Sequence, residues 1–458
     1  MNINDYTYYY FIGIGGIGMS ALARHFHRLG KTVEGYDKTP SPLTDTLQSE
    51  VINIHFEESD SLANKLPKNK TLIIYTPAIP KDNKELLFFR NAGFDILKRA
   101  EALGQICKDF HNIAVAGSHG KTTISTLLAH LFKQSPVGCN AFLGGISNNY
   151  ETNYLQSQSS RYVITEADEY DHSFLQLTPH IEIITAVDLD HLDIYHNEQN
   201  LLSSFQKFIN QIKPRGTLIL NNKLKNKFSL PENTVTYGLT PAANFWSEIV
   251  NYQKNIFSFH TPTEDFHNLQ LGIPGEYNIE NATAALTALY LEKNFYAALP
   301  DNLKNFKGNK RRFDIRFQNT ETIYIDDYAH HPQELQSIIT AVRKLYPSKN
   351  ILGIFQPHLF SRTKDLADDF AKTLSKLDKL ILLDIYPARE KPINGITSEW
   401  LLSKINLSNK QLLNKDEVIP YLSKTENEII LTLGAGDIER LVPQIEELLT
   451  LKYADHES

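Results

Sequence analysis

AVAGSHGKTTIS, residues 114–125, joins an apolar run, Ile113–Ala116, to a helical pattern that carries Leu127, Leu128 and Leu131. Buried strand, glycine turn, Lys-Thr and helix, in that order, make a cradle for nucleotide phosphates. Backbone N–H groups and the helix N-terminus face the anion, Lys121 adds a point charge, and the Thr122 hydroxyl is within reach of Mg²⁺. The general form of such a loop has a glycine five residues before its Gly-Lys pair. Val115 stands there, and the glycine is Gly117, three before Gly120. A plain glycine turn capping a helix is the competing reading, and it leaves the GKTT unexplained.

Around this loop the chain reads as an α/β protein. Its 458 residues suggest three domains at about 150 residues each. The first, 1–107, opens with a strand at Tyr8–Ile12, then Gly13-Ile-Gly15-Gly16-Ile-Gly18, a helix, and a strand Thr32–Tyr36 ending at Asp37. That is the dinucleotide fingerprint: glycines for a tight turn and close approach of a diphosphate, and an acid for a ribose hydroxyl. NAD, NADP, FAD and a UDP-sugar all satisfy it. A strand-end cap is the competing reading of Asp37. Thr76, after the apolar Leu72–Tyr75, is either a substrate contact or a turn residue.

In the central segment, 108–313, the strand Arg161–Thr165 runs into Glu166-Ala-Asp-Glu-Tyr-Asp171. Carboxylates there suit the magnesium of a nucleotide, and Glu166, first off the strand, is preferred to Asp168 or Glu169. A strand at Ile181–Val187 leads to Asp188-Leu-Asp-His191-Leu-Asp193, where His191 is a second metal contact or a hydrogen-bonded loop histidine. Asn148–Ser160 reads as a polar loop. Asn281, at the start of an Ala-rich helix, offers the donor and acceptor that read adenine, or caps the helix.

The last segment, 314–458, repeats strand and helix, with Asp327, His330, His331, His358, Arg362 and Arg389 at strand ends. Cations there suit a carboxylate or phosphate partner. The adjacent histidines make a poor single-metal site, because strand neighbours face opposite ways.

A net charge of −7 gives no field toward nucleic acid or an anionic membrane, and two cysteines make neither a disulfide framework nor a metal cluster. With no signal peptide and no apolar run of spanning length, a cytoplasmic protein is expected, as a monomer or homodimer.

GIGGIGMS (13–20), GSHGKTT (117–123), TEADEYD (165–171), DLDHLD (188–193), DDYAHHP (326–332) and QPHLFSRT (356–363) occur in one order. Together they resemble the Mur ligases, ADP-forming enzymes of peptidoglycan precursor synthesis, and within them the branch that adds the first amino acid. The resemblance implies a Rossmann-like domain for the UDP-sugar, a central ATPase domain, and a C-terminal Rossmann-like domain that closes over the site. It implies ATP and Mg²⁺ as cofactors and UDP-N-acetylmuramate and L-alanine as substrates. Gly117, Ser118, His119, Gly120, Lys121, Thr122 and Thr123 then hold the ATP phosphates, with Asn281 on adenine and Asp327 also on the nucleotide side. Thr122, Glu166 and His191 hold metal. Gly13, Gly15, Gly16, Gly18, Asp37 and Thr76 take the UDP-sugar, and His358 and Arg362 position alanine and the reacting groups. Lys121, His191, His358 and Arg362 form the catalytic set.

Two positions depart from the family pattern: Tyr277 stands where a histidine is common, and Leu359 where an arginine is common, so one cationic contact is either missing or supplied elsewhere, with Arg389 a candidate. The recycling ligase that attaches a whole tripeptide shares the scaffold, but Tyr386–Ser398 (YPAREKPINGITS) looks more like the alanine enzyme. GIGGIG with Asp37 also suits an NAD(P)-dependent oxidoreductase, which leaves GSHGKTT unexplained. A regulatory ATP-binding module leaves the His/Arg-rich strand ends unexplained.

Overall fold

A computed structural model describes residues 2–59, 66–188, 192–195, 197–388 and 390–454, the side chains at 192 and 193 excepted. The chain divides into two compact units. One gathers Met1–Val250, Ile256–Gly272 and Asn278–Lys307; the other gathers Asn251–Asn255, Ile273–Tyr277 and Gly308–Ser458.

The first unit holds two sheets. Strands β1 (Tyr8–Ile12), β2 (Thr32–Tyr36), β3 (Asn53–His55), β4 (Thr71–Tyr75) and β5 (Asp95–Lys98) are parallel, in the order β3-β2-β1-β4-β5. Helix α1 (Ile17–Arg28) buries Met19, Leu22 and Phe26, the helical spacing expected of one covered face. Helix α2 (Arg99–Cys107) follows β5. The order reverses at β1, so the loops after β1 and β4 flank the crevice where ligands of such sheets bind. This brings Gly13–Gly18 and Thr76 together.

The second sheet has ten strands: β6 (His111–Ala116), β7 (Asn140–Ser147), β8 (Thr152–Leu155), β9 (Tyr162–Glu166), β10 (Ile181–Ile184), β11 (Thr217–Asn221), β12 (Thr234–Gly238), β13 (Phe245–Asn251), β14 (Ile256–His260) and β15 (Asp265–Gln270). Their order is β15-β14-β13-β12-β11-β10-β6-β9-β7-β8. Helices α3 (Lys121–Gln134), α4 (Glu198–Ile209) and α5 (Glu276–Leu291) belong to this part of the chain. Central β6 is fully buried from Asn112 to Ala116, as expected of a parallel strand covered on both faces.

Three expectations are corrected here. The polar stretch 148–160 contains β8, antiparallel to β7, with all four residues buried. Its Asn153 finds hydrogen-bond partners on α1, far away in sequence, which local composition does not reveal. Helix α5 begins at Glu276, so Asn281 lies inside it rather than at its start. Pro274-Gly275, with Gly275 at φ 110°, supplies the break that starts the helix early. Strand β10 stops at Ile184: Thr185 N still donates to Ala116 O of β6 (3.1 Å), while the Thr185 hydroxyl and Ala186 O turn to the glycine loop at 117–120.

The second unit is one six-stranded sheet of β16 (Asp314–Gln318), β17 (Ile323–Asp327), β18 (Ile351–Phe355), β19 (Lys379–Leu382), β20 (Lys410–Leu412) and β21 (Ile429–Leu433). The order is β16-β17-β21-β18-β19-β20, and only the β16–β17 pair is antiparallel. Helices α6 (Pro332–Leu345) and α7 (Phe360–Asp365) follow β17 and β18. Among the described residues no helix is long and apolar enough to cross a membrane.

Candidate active site

The phosphate loop leaves β6 at Ala116 and enters α3 at Lys121. Gly117 (φ 129°) and Gly120 (φ 82°) lie in backbone regions that other residues avoid. A Cβ on Gly117 would overlap the Thr185 hydroxyl and come within 2.8 Å of Ala186 O. The segment after β10 clasps the loop from that side. Thr185 Oγ1 donates to His119 O, Ser118 N donates to Ala186 O (2.9 Å), and Asp188 N donates to Ser118 Oγ (2.9 Å). His119 Nε2 lies 3.6 Å from Asp188 Oδ2. Thr122 and Thr123 are buried in the first turn of α3.

Lys121 Nζ donates to Gly117 O (2.6 Å) and to Glu169 Oε1 (2.9 Å), which lays the ammonium back along the loop. Burial works against its charge, but Glu169, Glu166 and Asp168 outweigh it and hold Lys121 above the usual lysine range. The ammonium is therefore a fixed positive charge beside the loop.

Glu166 is the last residue of β9, opposite Val115 of β6. Its carboxylate rests on Gly144 of β7, where any Cβ would overlap it. Asn281 faces the loop from α5, and a Cβ on Gly120 would lie 2.7 Å from its Oδ1. Loop, carboxylate and amide are thus brought together.

The first glycine loop is built differently. Gly13 (φ 86°) donates its N–H to Tyr36 O (2.7 Å). Asp37 Oδ2 accepts from Gly15 N (2.8 Å) and Oδ1 from Thr39 N (3.2 Å), so this acid braces the loop as a strand-end cap does. The Thr76 methyl group would meet a Cβ on Gly13 at 2.5 Å, and Gly18 lies against the Arg99 guanidinium. Gly16, Gly18, Thr76, Arg99, Glu166 and Asp168 line one cavity of about 290 Å³. Arg99 Nη2 is 3.4 Å from Asp168 Oδ2 within it.

In the second unit Asp327 accepts from Phe313 N (2.7 Å) and Ala329 N (2.8 Å), and burial pushes its carboxyl up to about 6. It organises the turn after β17. His330 Nδ1 lies 3.0 Å from Tyr328 O and 3.3 Å from Glu334. His358 stacks on Tyr386 at 5.6 Å, and its ring centre is 5.9 Å from that of His330. Burial, then the neighbouring His330 and Arg362, lower it to about 4, so the imidazole is neutral at neutral pH. Its buried Nδ1 has no hydrogen-bond partner among the described residues. Leu359 takes φ 71°, and the chain then enters α7, which carries Arg362. Glu390 accepts from Ser361 N at 3.0 Å.

Comparison with known proteins places the chain. Family models described as "Mur ligase family, catalytic domain", "Mur ligase middle domain" and "Mur ligase, glutamate ligase domain" match residues 8–111, 115–289 and 311–436. The UDP-N-acetylmuramate–L-alanine ligase of Parabacteroides distasonis is 46% identical over 98% of this chain and 98% of its own. The chain belongs to the Mur ligase family. The solved UDP-N-acetylmuramate-alanine ligase of Thermotoga maritima superposes with TM-score 0.82 at 27% identity, covering 97% of this chain and 99% of that one. A murein peptide ligase from Psychrobacter arcticus, 19% identical over 97% and 98% of the two chains, shares the fold with TM-score 0.70.

Within this Mur ligase, two charged residues were not singled out by their sequence. Glu169, which the sequence puts second to Glu166, accepts from Lys121. Asp171 and His172 both have positive φ, so the spacing after β9 does not tell which acid turns inward. Arg99, in the Lys98-Arg99 pair after a short strand, carries no local mark of its place beside Gly18. His191 and Arg389 lie outside the described residues.

Proposed function

We propose that the chain joins L-alanine to the lactyl carboxylate of UDP-N-acetylmuramate at the expense of ATP, in cytoplasmic synthesis of the cell-wall precursor. The observation that carries this is the charged Lys121 ammonium laid along a two-glycine phosphate loop beside Glu166. Near-full-length identity to L-alanine ligases supports the choice of substrates.

A carboxylate does not acylate an amine in water, because its oxygen leaves poorly. The sugar's carboxylate oxygen attacks the γ-phosphorus of ATP, a P–O bond forms, and the bridging P–O bond breaks to release ADP. The alanine amine then attacks the acyl carbon, and phosphate leaves with the bonding pair. Lys121 and the loop N–H groups hold the transferring charge in place. Thr122 and Glu166 offer hard oxygen donors and would hold Mg²⁺, which when bound neutralises phosphate charge; His191 is assigned to a second ion. Gly13–Gly18, with Thr76 and Arg99, takes the diphosphate side of the UDP-sugar, and Asp37 keeps Gly15 in place. Asn281 reads adenine. In the second unit Arg362 holds the alanine carboxylate, and His358 or another basic group takes the proton of the attacking amine. Asp327 keeps that unit's first turn in shape.

ADP release, measured with UDP-N-acetylmuramate and a panel of L-alanine, glycine, L-serine and the recycling tripeptide, tests the reading. Release with L-alanine is expected. Release with the tripeptide alone assigns the recycling reaction instead, and release with none overturns the proposal.

A further inference from the structure

Asn153 of β8 is fully buried, and its whole amide is engaged. Nδ2 donates to Ile17 O (2.6 Å) and to Ser20 Oγ (2.9 Å), while Oδ1 accepts from Arg24 Nη1. Ile17 and Ser20 are in the first turn of α1, which follows Gly13–Gly18 directly. Arg24, 1% exposed, is held from its other side by Glu50, whose carboxylate accepts from Nε at 2.8 and 3.0 Å. The antiparallel partner of β8 is β7, which carries Gly144 and so seats Glu166. One hairpin therefore touches the start of the helix behind the sugar-nucleotide loop and the carboxylate beside the ATP loop.

Adhesion between the two sheets does not need this. His25, Phe142 and Tyr154 already pack around the contact. A buried polar network holds less by energy than by geometry, since each donor must meet its acceptor at one distance and angle. Misplacing a reacting group by about 1 Å costs on the order of 10²-fold in rate. We propose that Asn153 is a positioning residue, which sets the first glycine loop at a fixed offset from the Glu166 corner so that the sugar's carboxylate meets the γ-phosphate. This rests on the function proposed above.

Asn153→Asp keeps the acceptor for Arg24 and loses both donations to α1. In the full-length enzyme it should lower kcat about tenfold and raise KM for UDP-N-acetylmuramate, while KM for ATP stays within about twofold. Ser20→Ala, a milder change, should raise the same KM about threefold. Tyr154→Phe removes the neighbouring hydrogen bond to His25 and should lower Tm while moving neither KM. Hydrogen exchange without substrate gives an independent reading: amides of residues 13–20 should exchange faster in Asn153→Asp, and those of 121–134 should not. Unchanged exchange at 13–20, or both KM values rising together with a fall in Tm, overturns the positioning role. Wild-type enzyme that releases no ADP overturns the proposed function, while the exchange data still decide the role of Asn153.

Discussion

The two glycine loops of the first unit are the same backbone device used in two ways. Each follows a buried parallel strand, and each opens an α-helix. At Gly13–Gly18 the charges come from elsewhere: Asp37 from the end of β2 braces the turn, and Arg99 from α2 covers Gly18. At Gly117–Thr123 the cation is the first residue of the helix, and three carboxylates surround it. A diphosphate that is only held needs shape and a nearby cation. A phosphoryl group that is transferred needs charge fixed at the place where charge moves. The difference between the loops is therefore electrostatic and not topological.

Replacing Lys121 should break that contrast most severely. Lys121→Ala is expected to cut kcat for ADP release by about 10³-fold or more, while UDP-N-acetylmuramate still binds. Circular dichroism and a calorimetric titration of the sugar-nucleotide check that the fold and the first loop survive. Near-normal turnover in a folded variant removes Lys121 from its role.

The glycines give the next largest effect. Gly117→Ala places a Cβ against Thr185 and Ala186 at a φ that alanine avoids, and should cost about 2–3 kcal/mol with more than tenfold weaker ATP binding, about 10- to 30-fold. Gly15→Leu drives a side chain into Asp37 and Thr44, 2.8 Å from a Cβ there, and should weaken sugar-nucleotide binding alone. Titrating each ligand into each variant shows whether the loops divide the two ligands. Equal losses for both ligands in both variants would mean that they do not.

How far this contrast was legible in the chain follows from the range of the interactions. GKTT after an apolar strand, and GIGGIG after another, are local patterns that state their own geometry. The partners of those loops are not local. Asn153 meets Arg24 at a separation of 129 residues, and β8 is hard to see in the sequence because three of its four buried residues are Thr, Asn and Tyr. The inward turn of Glu169 is not legible in the sequence, because the backbone after β9 is irregular. The Ala-rich run points to a helix start near Asn281, whereas the Pro-Gly break sets it at Glu276. Strand and helix identity are written in periodicity, whereas the pairing of buried polar groups is written only in the fold.

An effect on stability alone, set by pH, belongs to α1. His25 is buried against Tyr154, whose hydroxyl lies 2.8 Å from its Nδ1, and burial lowers its pKa from 6.5 to about 4. The unfolded chain thus takes up a proton that the folded chain refuses. Its contribution is complete above pH 6.5 and is lost as pH falls toward 4, to a limit of about 3 kcal/mol. Denaturation across that window, compared between wild type and His25→Phe, should show a shallower pH dependence in the variant. Parallel curves would mean that the loss arises elsewhere.

The smallest expected effect lies behind the second loop and has the opposite sign. Glu182 of β10 is fully buried, and neither carboxyl oxygen has a hydrogen-bond partner among the described residues. Burial pushes it well above the usual carboxylate range. Below that range both states are protonated, and the group gives no pH dependence. As pH rises through it, the unfolded chain ionises and the folded one does not, so stability falls until the raised folded value is reached. Glu182→Gln cannot ionise, and should raise Tm by about 2 °C near pH 8 while leaving it unchanged near pH 4. The strand leads straight to Thr185, which clasps the glycine loop proposed to hold ATP, so KM for ATP measured at both pH values separates two cases. If Glu182 only burdens stability, KM stays constant while Tm moves; if KM moves with Tm, the buried acid, which lies opposite Ala114 of β6, also shapes the clasp on the glycine loop at 117–120.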